Sequence, residues 1–529
     1  MRLGQLIDDL PIALRVGSAD LAITALTDDS RRVTPGALFI ARPGADGDAL
    51  RFVQNAIDAA AGALLLPDTD DSAIIALSLP GSVAVACADP GTPVDQRLCG
   101  QLAERFFDYP SRRLKLIGIT GTNGKTTTAT ITRHLLDSAG HRCGLIGTVE
   151  LDTGSADGPR PAQLTTPGAI ELSQLLAEMV ANGCDACVME VSSHALHQGR
   201  VDHVRFAAAA FTNLTQDHLD YHGTMEAYAD AKAILFESLA DGATAVLNAA
   251  DAYAARMARG CDAALLLTAV LPGACDPFLL QRSAERCAAE PITLTTAGSE
   301  AAFAGPWGAF DAMLPTPGPH NLSNALQAAA LAFAVADLDA TQLSHGLETC
   351  RPVPGRLEPV GPDWPEPPTP NPQLPTVLVD YAHTPDALIN VGKALRELTQ
   401  ATGGKLITVF GCGGDRDRAK RPLMAQAAQR YADVVVLTSD NPRTEAPQQI
   451  LNDAAEGFLP ATQDPTPDTH TVPDRAAAIR FAIHLATEHD TVLIAGKGHE
   501  DYQIVGTTKH HFDDREQAAA ALREKAGGT

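Results

Sequence analysis

The sequence contains no uncharged apolar run of the ~20 residues needed to cross a bilayer. Its first residues, MRLGQLIDDLPIALRV, also lack the basic segment followed by an apolar one that is typical of a secretory signal. Neither membrane insertion nor export is therefore expected. We predict a cytoplasmic protein.

Dense cysteine spacing is also missing, because the ten cysteines are scattered singly apart from Cys184 and Cys187. A long chain of this kind does not resemble a disulfide scaffold, so reduced thiols are expected. Cys184 and Cys187 have the CxxC spacing of a zinc site, but no second pair lies nearby to complete one. The surrounding CDACVMEV is instead typical of a buried strand, which is the favoured interpretation.

Positive charge is scarce, with 40 Lys and Arg against 64 Asp and Glu and a formal net charge of -24. Binding to DNA or RNA requires a surface rich in Lys and Arg, so no nucleic-acid partner is expected. A small anionic ligand remains compatible with this charge. A few backbone amides and one or two basic side chains in a cleft are enough to bind it.

The length of 529 residues exceeds what one hydrophobic core usually organises and predicts about three domains. Residues 1–112 mix short apolar runs with Gly and Pro and predict a small α/β domain. Residues 113–356 begin with a strand, a glycine-rich turn and a helix, the pattern of a parallel nucleotide-binding sheet. Residues 357–529 alternate strands and helices like a second doubly wound domain. Near its start, the proline-rich segment 361–375 predicts an exposed loop or hinge extension.

The apolar runs locate the main elements of this α/β fold. Strands are predicted at 38–41, 63–66, 114–119, 186–191, 206–211, 243–247, 376–379, 406–410, 434–437 and 492–495. Helices are predicted at 126–136, 387–398 and 475–487.

A phosphate-binding loop is predicted between the strand at 114–119 and the helix at 126–136. Its residues are Thr120, Gly121, Thr122, Asn123, Gly124, Lys125, Thr126 and Thr127. Glycines let successive N–H groups point inward, Lys125 neutralises terminal phosphates, and the Thr126 hydroxyl suits Mg²⁺, so ATP is the expected ligand. The general loop pattern has glycine six residues before the lysine, where Ile119 stands here. This departure favours a family with the shorter GTNGKT form. The alternative is a glycine-rich turn with an incidental lysine.

Many further motifs accompany this loop in a fixed order. They are Asp29-Ser30-Arg31 with LFIA downstream, GTNGKTTT, TTP from Thr165, EVSSHAL from Glu190, NLTQDHLDYHGTMEAYADAKAILF from Asn213, HNLSNA from His320, GRLE from Gly355, DYAHTPDAL from Asp380, GCGGDRDRAKRP from Gly411, DNPR from Asp440 and GKGHE from Gly496. In these motifs the chain resembles the Mur ligase family, and within it the members that add diaminopimelate. The resemblance implies an N-terminal uridine-nucleotide domain, a central ATPase domain and a C-terminal Rossmann-like domain that carries the incoming amino acid.

The resemblance also implies a chemistry. The γ-phosphoryl group of ATP activates a carboxylate of UDP-N-acetylmuramoyl-L-alanyl-D-glutamate, and the amine of meso-diaminopimelate then attacks the acyl phosphate. Glu190, His218 and Thr126 match metal-binding positions for Mg²⁺, and Lys232 matches a lysine that CO₂ converts to a carbamate (N6-carboxylysine). Lys125, Glu190, His218 and Lys232 are the catalytic residues implied. Considered alone, Lys232 would be a solvated helix lysine, Glu190 a helix cap and His218 a loop histidine.

The remaining site residues implied by the resemblance fall into three groups. The ATP site adds Asn321, Asn324 and Arg356 to the phosphate loop, with residues around Asp380 and His383. The UDP-muramyl dipeptide site comprises Ser30, Thr165, Thr166, Ser192, Gln198 and Arg200. The diaminopimelate site comprises Arg416, Asp440, Asn441, Pro442, Arg443, Gly496 and Glu500. An Arg443 fork suits the carboxylate that distinguishes diaminopimelate from lysine, although an arginine in a surface turn is the alternative.

One departure concerns the first domain, where the chain has Asp46-Gly47-Asp48 and the family often has Asp-Gly-His. Two other functions stay open at this point. A folylpolyglutamate synthase would share the phosphate loop and the modified lysine, but would not be expected to have both DNPR and GKGHE. An ATP-driven regulatory protein would hydrolyse nucleotide without forming an amide bond. A monomer is expected.

Overall fold

The structure, a computed structural model, describes residues 1–44, 48–77, 79–271, 276–282, 284–296, 298–366, 368, 371, 373–459 and 467–527. It has an α/β architecture of three domains, each built on its own sheet. Across these ranges, every helix is too short or too polar to span a lipid bilayer.

The N-terminal sheet has five strands, which helices cover. Its elements are α1 (Leu3–Ile7), β1 (Ile12–Val16), β2 (Leu26–Thr27), β3 (Leu38–Ile40), α2 (Val53–Asp58), β4 (Ala63–Leu66), α3 (Asp71–Ala76), β5 (Ala84–Ala88) and α4 (Gln96–Phe106). The strand order is β1-β5-β4-β3-β2, and only β1 runs antiparallel to its neighbour. Strands β3, β4 and β5 are buried along their whole length, which explains their continuous apolar sequences. The strands predicted at 38–41 and 63–66 are confirmed.

The central sheet has eleven strands. Its strands are β6 (Lys115–Thr120), β7 (Cys143–Ile146), β8 (Glu150–Asp152), β9 (Arg160–Pro161), β10 (Ala186–Glu190), β11 (Ala208–Phe211), β12 (Thr244–Asn248), β13 (Ala264–Val270), β14 (Ala284–Leu294), β15 (Ser299–Gly305) and β16 (Gly308–Leu314). Its helices are α5 (Lys125–Ser138), α6 (Ala169–Ala181), α7 (Ser193–His197), α8 (Leu219–His222), α9 (Met225–Glu237), α10 (Ala254–Ala258), α11 (Pro277–Gln281), α12 (Pro319–Ala336) and α13 (Ala340–Thr349).

The order in this sheet is β16-β15-β14-β13-β12-β11-β6-β10-β7-β8-β9. The strands from β14 to β7 are parallel, and hairpins extend both edges in antiparallel fashion. The sequence predicted the parallel strands β6, β10, β11 and β12. It did not predict the parallel strands β7 and β13 or the edge strands β8, β9, β14, β15 and β16. Helix α12 is rich in alanine and packs closely on α5, so the phosphate loop before α5 is set against a rigid helix pair.

The C-terminal sheet has six strands and a separate hairpin. Its elements are β17 (Glu358–Pro359), β18 (Thr376–Asp380), α14 (Pro385–Ala401), β19 (Leu406–Cys412), α15 (Lys420–Tyr431), β20 (Val434–Ser439), α16 (Pro447–Ala455), β21 (Asp468–Thr471), α17 (Arg475–Leu485), β22 (Thr491–Ala495), β23 (Tyr502–Val505), β24 (Thr508–His511) and α18 (Asp514–Gly527). The order is β17-β18-β22-β19-β20-β21, and all neighbours except β17 are parallel. The predicted strands and helices of this region are confirmed to within a few residues.

The proline-rich segment is a loop in its described residues, but its two ends are packed and not exposed. Gly361 at one end and Leu374 at the other are buried, and Leu374 belongs to the C-terminal core. The Trp364 indole N–H donates to Glu358 Oε1 at 3.2 Å, and the Arg515 guanidinium stacks on its ring at 5.1 Å. The prediction of an exposed loop is therefore wrong for these ends, because the tryptophan supplies an apolar anchor among the prolines.

Three contacts lie at the junctions between domains. Between the first two, Arg97 Nε binds Asp202 Oδ2 at 2.6 Å, and Gln96 Oε1 accepts from the Ala169 amide at 2.7 Å. At the start of the last domain, Leu357 has φ +45°, and its amide donates to Asp380 Oδ2 in the same domain at 2.8 Å. A buried carboxylate therefore fixes the backbone at the junction after Arg356.

Candidate active site

The phosphate loop lies between β6 and α5, at the carboxyl end of a parallel strand where α/β sheets bind ligands. Two glycines are required by its shape. Gly124 has φ +85°, and a Cβ there would lie 2.5 Å from Asn324 Oδ1. A Cβ on Gly121 would lie 1.8 Å from Thr212 Oγ1. The chain therefore needs glycine at both positions to bring its backbone amides around a small anion.

Hydrogen bonds from the segment after β11 hold the loop. The Thr122 amide donates to Asn213 O at 2.9 Å, and the Asn123 amide donates to Asn213 Oδ1 at 3.0 Å. Lys125 Nζ folds back over the loop and donates to the carbonyls of Gly121 and Thr122, each at 2.9 Å. Burial lowers the pKa of Lys125, although Glu190 and Asp217 oppose the shift. A phosphate group would give this ammonium a full counter-charge.

The Gly124→Ala variant is expected to bind ATP about tenfold more weakly, as a rise in KM for ATP. The left-handed backbone alone costs alanine about 1–2 kcal/mol, and the new methyl group would also displace Asn324. Gly140→Ala is the matched control, because Gly140 has φ +91° but its Cβ would meet nothing within 4 Å. That variant should lose stability and keep its KM for ATP. Equal KM values in both variants would contradict the steric role of Gly124.

Glu190 lies at the end of β10 with its carboxylate turned toward α5. Oε1 accepts from Thr126 Oγ1 at 3.0 Å and from the Thr148 amide at 2.7 Å, and Oε2 accepts from Thr148 Oγ1 at 3.0 Å. The side chain is 1% exposed. Carboxylate and hydroxyl oxygens are the protein ligands that Mg²⁺ prefers. The pair of Glu190 and Thr126, placed beside a phosphate loop, thus fits that ion.

Lys232 reaches the same loop from α9. Its Nζ donates to Gly121 O at 2.9 Å and lies 4.5 Å from the centre of the Tyr228 ring. The residue is 1% exposed, so the interpretation as a solvated helix lysine is wrong. Burial, followed by repulsion from Lys125, lowers the pKa of Lys232 well below its ordinary value. The neutral amine that reacts with CO₂ is thereby favoured.

His218 belongs to a group of rings that the sequence did not predict. Its ring lies 4.9 Å from that of His194 and 6.1 Å from that of Tyr228, whose hydroxyl lies 3.2 Å from Thr122 Oγ1. His222 stacks on Tyr228 at 5.1 Å. Burial is the first cause that lowers the pKa of His218, and it lowers that of His222 to about 4. A neutral imidazole is the form that binds metals.

The residues predicted to bind the adenosine part of ATP lie in two places: the asparagines are buried on α12, and Arg356 lies at the junction of two domains. Asn321 and Asn324 are buried on α12, where Asn324 Nδ2 donates to Asn321 Oδ1 and Thr128 Oγ1 donates to Asn324 Oδ1, each at 3.4 Å. They therefore also link α12 to α5. Arg356 connects two domains, since its Nη2 lies 3.4 Å from Thr126 Oγ1 and its guanidinium stacks on the Tyr381 ring at 4.6 Å.

The residues predicted to bind the muramyl dipeptide in the central domain lie together beside Glu190. Thr166 Oγ1 donates to Glu190 O at 2.9 Å and accepts from the Ser192 amide at 3.0 Å. Arg200 donates to Thr166 O at 3.0 Å and twice to Gln198 Oε1, at 2.9 and 2.6 Å. All of these partners of Arg200 are neutral, which leaves its charge suited to a carboxylate.

Two other members of the dipeptide site are placed differently. Thr165 Oγ1 lies 3.1 Å from Thr148 Oγ1, on the same side as Glu190. Ser30 begins a short 3-10 helix in the N-terminal domain and is partly exposed. The departure at Asp46-Gly47-Asp48 falls largely outside the described residues, since only Asp48 is described.

The predicted amino-acid pocket is formed where β19, β20 and β22 end. The DNPR turn follows β20, and Arg443 in it has φ +51°. Arg443 Nη1 donates to Gly414 O at 2.7 Å, and its backbone bonds to the β23-β24 hairpin through Ile504 O at 3.0 Å. A Cβ on Gly413 would touch both Arg443 and Arg416, at 3.0 and 3.7 Å. The two guanidinium side chains thus flank the same glycine.

The acidic part of this pocket combines Asp440, Asn441 and Glu500 with a lysine that the sequence did not single out. Asn441 Nδ2 donates to Glu500 Oε2 at 3.0 Å. Lys497, which is 0% exposed, donates to Asn441 Oδ1 at 3.1 Å and lies 3.3 Å from Asp440 Oδ1. Its place inside the GKGHE motif was the signal that could have identified it. Pro442 is buried, and Gly496 has φ +120° beside Asp440.

Comparison with known proteins connects this geometry to a family. The pattern described as Mur ligase middle domain matches residues 119–332, and that described as Mur ligase, glutamate ligase domain matches residues 367–498. A UDP-N-acetylmuramoyl-L-alanyl-D-glutamate--2,6-diaminopimelate ligase of Synechococcus elongatus is 47% identical over 507 residues, 96% of this chain and 95% of the relative. The protein of the same name from Geobacillus thermodenitrificans is 42% identical over 533 residues, which cover 99% of this chain and 100% of the relative.

Solved structures agree with these relatives. A structure of a ligase with the same name has a TM-score of 0.66 and 31% identity and covers 99% of both chains. A folylpolyglutamate synthase of Mycobacterium tuberculosis has a TM-score of 0.56 at 19% identity, covering 80% of this chain and 93% of that one. The second likeness shows only a shared fold.

Proposed function

This chain belongs to the Mur ligase family, and from that premise we propose that it joins meso-diaminopimelate to the D-glutamate of UDP-N-acetylmuramoyl-L-alanyl-D-glutamate. The reaction consumes ATP, yields the UDP-muramyl tripeptide, ADP and phosphate, and serves the synthesis of peptidoglycan precursors. The observation that carries the proposal is the 47% identity, over 96% of the chain, with a ligase named for these substrates. The pocket of arginines and carboxylates after β19, β20 and β22 supports the choice of amino acid.

A carboxylate must be activated before an amine attacks it. A carboxylate oxygen of the dipeptide attacks the γ-phosphorus of ATP, the bond to the bridging oxygen breaks, and ADP leaves. The neutral amine then attacks the acyl carbon, the bond to the phosphate oxygen breaks, and the nitrogen gives up a proton. Both steps require that water be excluded from the site. Arg356 contacts Thr126 in the central domain and Tyr381 in the C-terminal domain, so it is suited to hold these two domains together.

The residues of the chain divide this work. The phosphate loop, Gly121 to Thr127, with Lys125, binds the nucleotide phosphates, while Asn321, Asn324 and Arg356 bind the remainder of ATP. Thr126, Glu190, His218 and the carbamate of Lys232 would hold Mg²⁺. When bound, the ion screens the two anions that must meet. Burial of Lys232 supports the carbamate, because the neutral amine is the reactive form.

The three domains would each bring one substrate. Residues 1–112, with Ser30, bind the uridine nucleotide, residues 113–356 bind ATP and residues 357–529 bind diaminopimelate. Thr165, Thr166, Ser192, Gln198 and Arg200 hold the muramyl dipeptide. Arg416, Asp440, Asn441, Pro442, Arg443, Gly496 and Glu500 hold the amino acid. We further propose a monomer in the cytoplasm.

The test is incubation of the purified protein with ATP, Mg²⁺, the UDP-muramyl dipeptide and either diaminopimelate or lysine. Mass analysis of the nucleotide product should find the dipeptide lengthened by one diaminopimelate residue, and little product with lysine. Phosphate release without a lengthened precursor would favour an ATP-driven regulatory protein instead. A parallel incubation with ATP, Mg²⁺, a folate and glutamate tests the alternative, since product formed only there would favour the folylpolyglutamate synthases that share the fold.

A further inference from the structure

Lys497 is a buried lysine at the centre of the proposed amino-acid pocket, and it joins the two loops that form it. Its Nζ donates to Asn441 Oδ1 at 3.1 Å and to Tyr502 O at 2.6 Å. It also lies 3.3 Å from Asp440 Oδ1 and 3.8 Å from Glu500 Oε2. One ammonium therefore contacts groups from the DNPR turn, the GKGHE turn and the β23-β24 hairpin.

These contacts determine how Asn441 is oriented. A lysine ammonium only donates hydrogen bonds, so the amide oxygen of Asn441 must face Lys497. The Ile504 amide donates to the same oxygen at 2.9 Å. The Asn441 amide nitrogen is thereby turned to Glu500 Oε2, which it contacts at 3.0 Å. Lys497 thus positions a carboxylate through a neighbouring side chain.

Lys497 also sets the charge of the pocket. Asp440 and Glu500 would be two carboxylates side by side, and the ammonium between them leaves one net negative charge. Asp440 Oδ1 is buried and, among the described residues, has no partner in hydrogen-bond geometry. The cluster of Asp440, Glu500 and Lys497 thus carries one net negative charge, which fits a single ligand ammonium.

We propose that Lys497 is a positioning residue that adjusts the Asp440, Asn441 and Glu500 cluster to bind the distal ammonium of diaminopimelate. The inference rests on the proposed function, since it concerns the substrate end that does not react. Other groups near Glu500 also affect its charge state. Glu500 also interacts electrostatically with Arg443 of the DNPR turn, Tyr381 of the loop after β18, Tyr502 of the hairpin and Arg475 of α17.

The charge of Lys497 has a consequence for pH dependence. Burial raises the pKa of Glu500, repulsion from Asp440 raises it further, and Lys497 acts in the opposite direction. Only the ionised carboxylate attracts an ammonium, so binding of diaminopimelate is lost as the pH falls through the pKa of Glu500. Removal of the Lys497 charge raises that pKa. The acid limb of kcat/KM for diaminopimelate should then move to higher pH.

The experiment measures kcat and KM for all three substrates over a range of pH in Lys497→Met and Lys497→Gln. Both variants should raise KM for diaminopimelate at least about tenfold near neutral pH, move the acid limb upward and leave KM for ATP within about twofold. The glutamine variant retains a hydrogen-bond donor without the charge, and it serves if the methionine variant does not fold. Lys509→Met is the matched control, because both lysines lie near the Tyr502 ring, Lys497 at 5.8 Å and Lys509 at 4.0 Å, but Lys509 is exposed.

The outcomes separate this inference from the function on which it rests. Failure of the wild-type protein to ligate diaminopimelate would overturn the proposed function. Normal wild-type ligation, together with an unmoved acid limb and unchanged KM for diaminopimelate in the Lys497→Gln variant, would overturn only the role of Lys497. A uniform loss of kcat/KM at every pH would also contradict it, because a merely structural role moves no limb.

Discussion

The Lys232→Ala variant is expected to lose ligation by about a hundred- to a thousandfold in kcat. Lys232 is buried, and its Nζ contacts the phosphate loop at Gly121 O. Its proposed carbamate changes this cation into an anionic oxygen ligand for Mg²⁺, which alanine lacks. A short carboxylate such as acetate or formate, added at high concentration, should restore part of the rate, because it can occupy the space that the lysine leaves. Steady-state kinetics with and without the added anion measure both effects.

Two further variants make this test specific. Lys232→Arg should be as inactive as the alanine variant but should not respond to acetate, since the guanidinium fills the space and does not form a carbamate. Asp230→Ala lies on the same helix, where Asp230 is exposed and pairs with Arg256 at 2.6 Å, and it should behave like the wild type. Activity close to that of the wild type in unsupplemented Lys232→Ala would rule out the carbamate. The absence of a carbamate in the mass of the intact protein would not rule it out, because carbamates are lost when the sample is acidified.

The Arg443→Ala variant should lower kcat/KM for diaminopimelate by about a hundredfold or more and change that for lysine little. Arg443 is held in a left-handed turn and bonded to Gly414 O, so its fork is fixed before the ligand arrives. Diaminopimelate brings a carboxylate to pair with it, whereas lysine leaves the charge without a partner. The variant therefore loses its preference for diaminopimelate because kcat/KM falls for that substrate and not for lysine. Competition between the two amino acids in one reaction measures the ratio directly.

Arg418→Ala serves as the control for this prediction. Arg418 lies near the DNPR turn and pairs with Glu445 at 2.8 Å, but its side chain is 65% exposed. Its removal should leave the ratio of diaminopimelate to lysine unchanged. Retention of the wild-type ratio in Arg443→Ala would refute the proposed carboxylate fork and would support an arginine that only stabilises the turn.

Much of the fold was predictable because parallel strands buried on both faces are continuously apolar. Strand β10 and the strand–loop–helix unit of β6 and α5 were found this way. Strands β14, β15 and β16 were missed, since they are half-exposed, and in β15 small residues blur the alternation. The short strand β7 and strand β13 were missed as well, although they are largely buried. The packing of Trp364 was also missed. Arg515 is far from it in sequence, and Glu358 reaches it only because the loop folds back.

The site was predictable where one short segment carries the chemistry, as in the phosphate loop. The resemblance selected residues that the fold brings together, such as Thr166, Ser192 and Arg200, while their roles stay predictions. Lys497 was missed because a lysine in a glycine-rich turn is ordinarily solvated. Its burial depends on the carbonyl of Tyr502 and on Asp440, which only tertiary structure places beside it. The proximity of His194 to His218 was missed for the same reason, because only the tertiary structure brings the two rings together.

In the proposed mechanism, the three domains enclose an acyl phosphate formed from the dipeptide carboxylate. The most direct test uses UDP-muramyl dipeptide with ¹⁸O in the carboxylates of its D-glutamate. When the amine displaces phosphate, one of these oxygens leaves with the phosphorus, so the released phosphate should carry one ¹⁸O atom for each amide bond formed. Phosphate without the label, alongside normal formation of the tripeptide, would contradict the account.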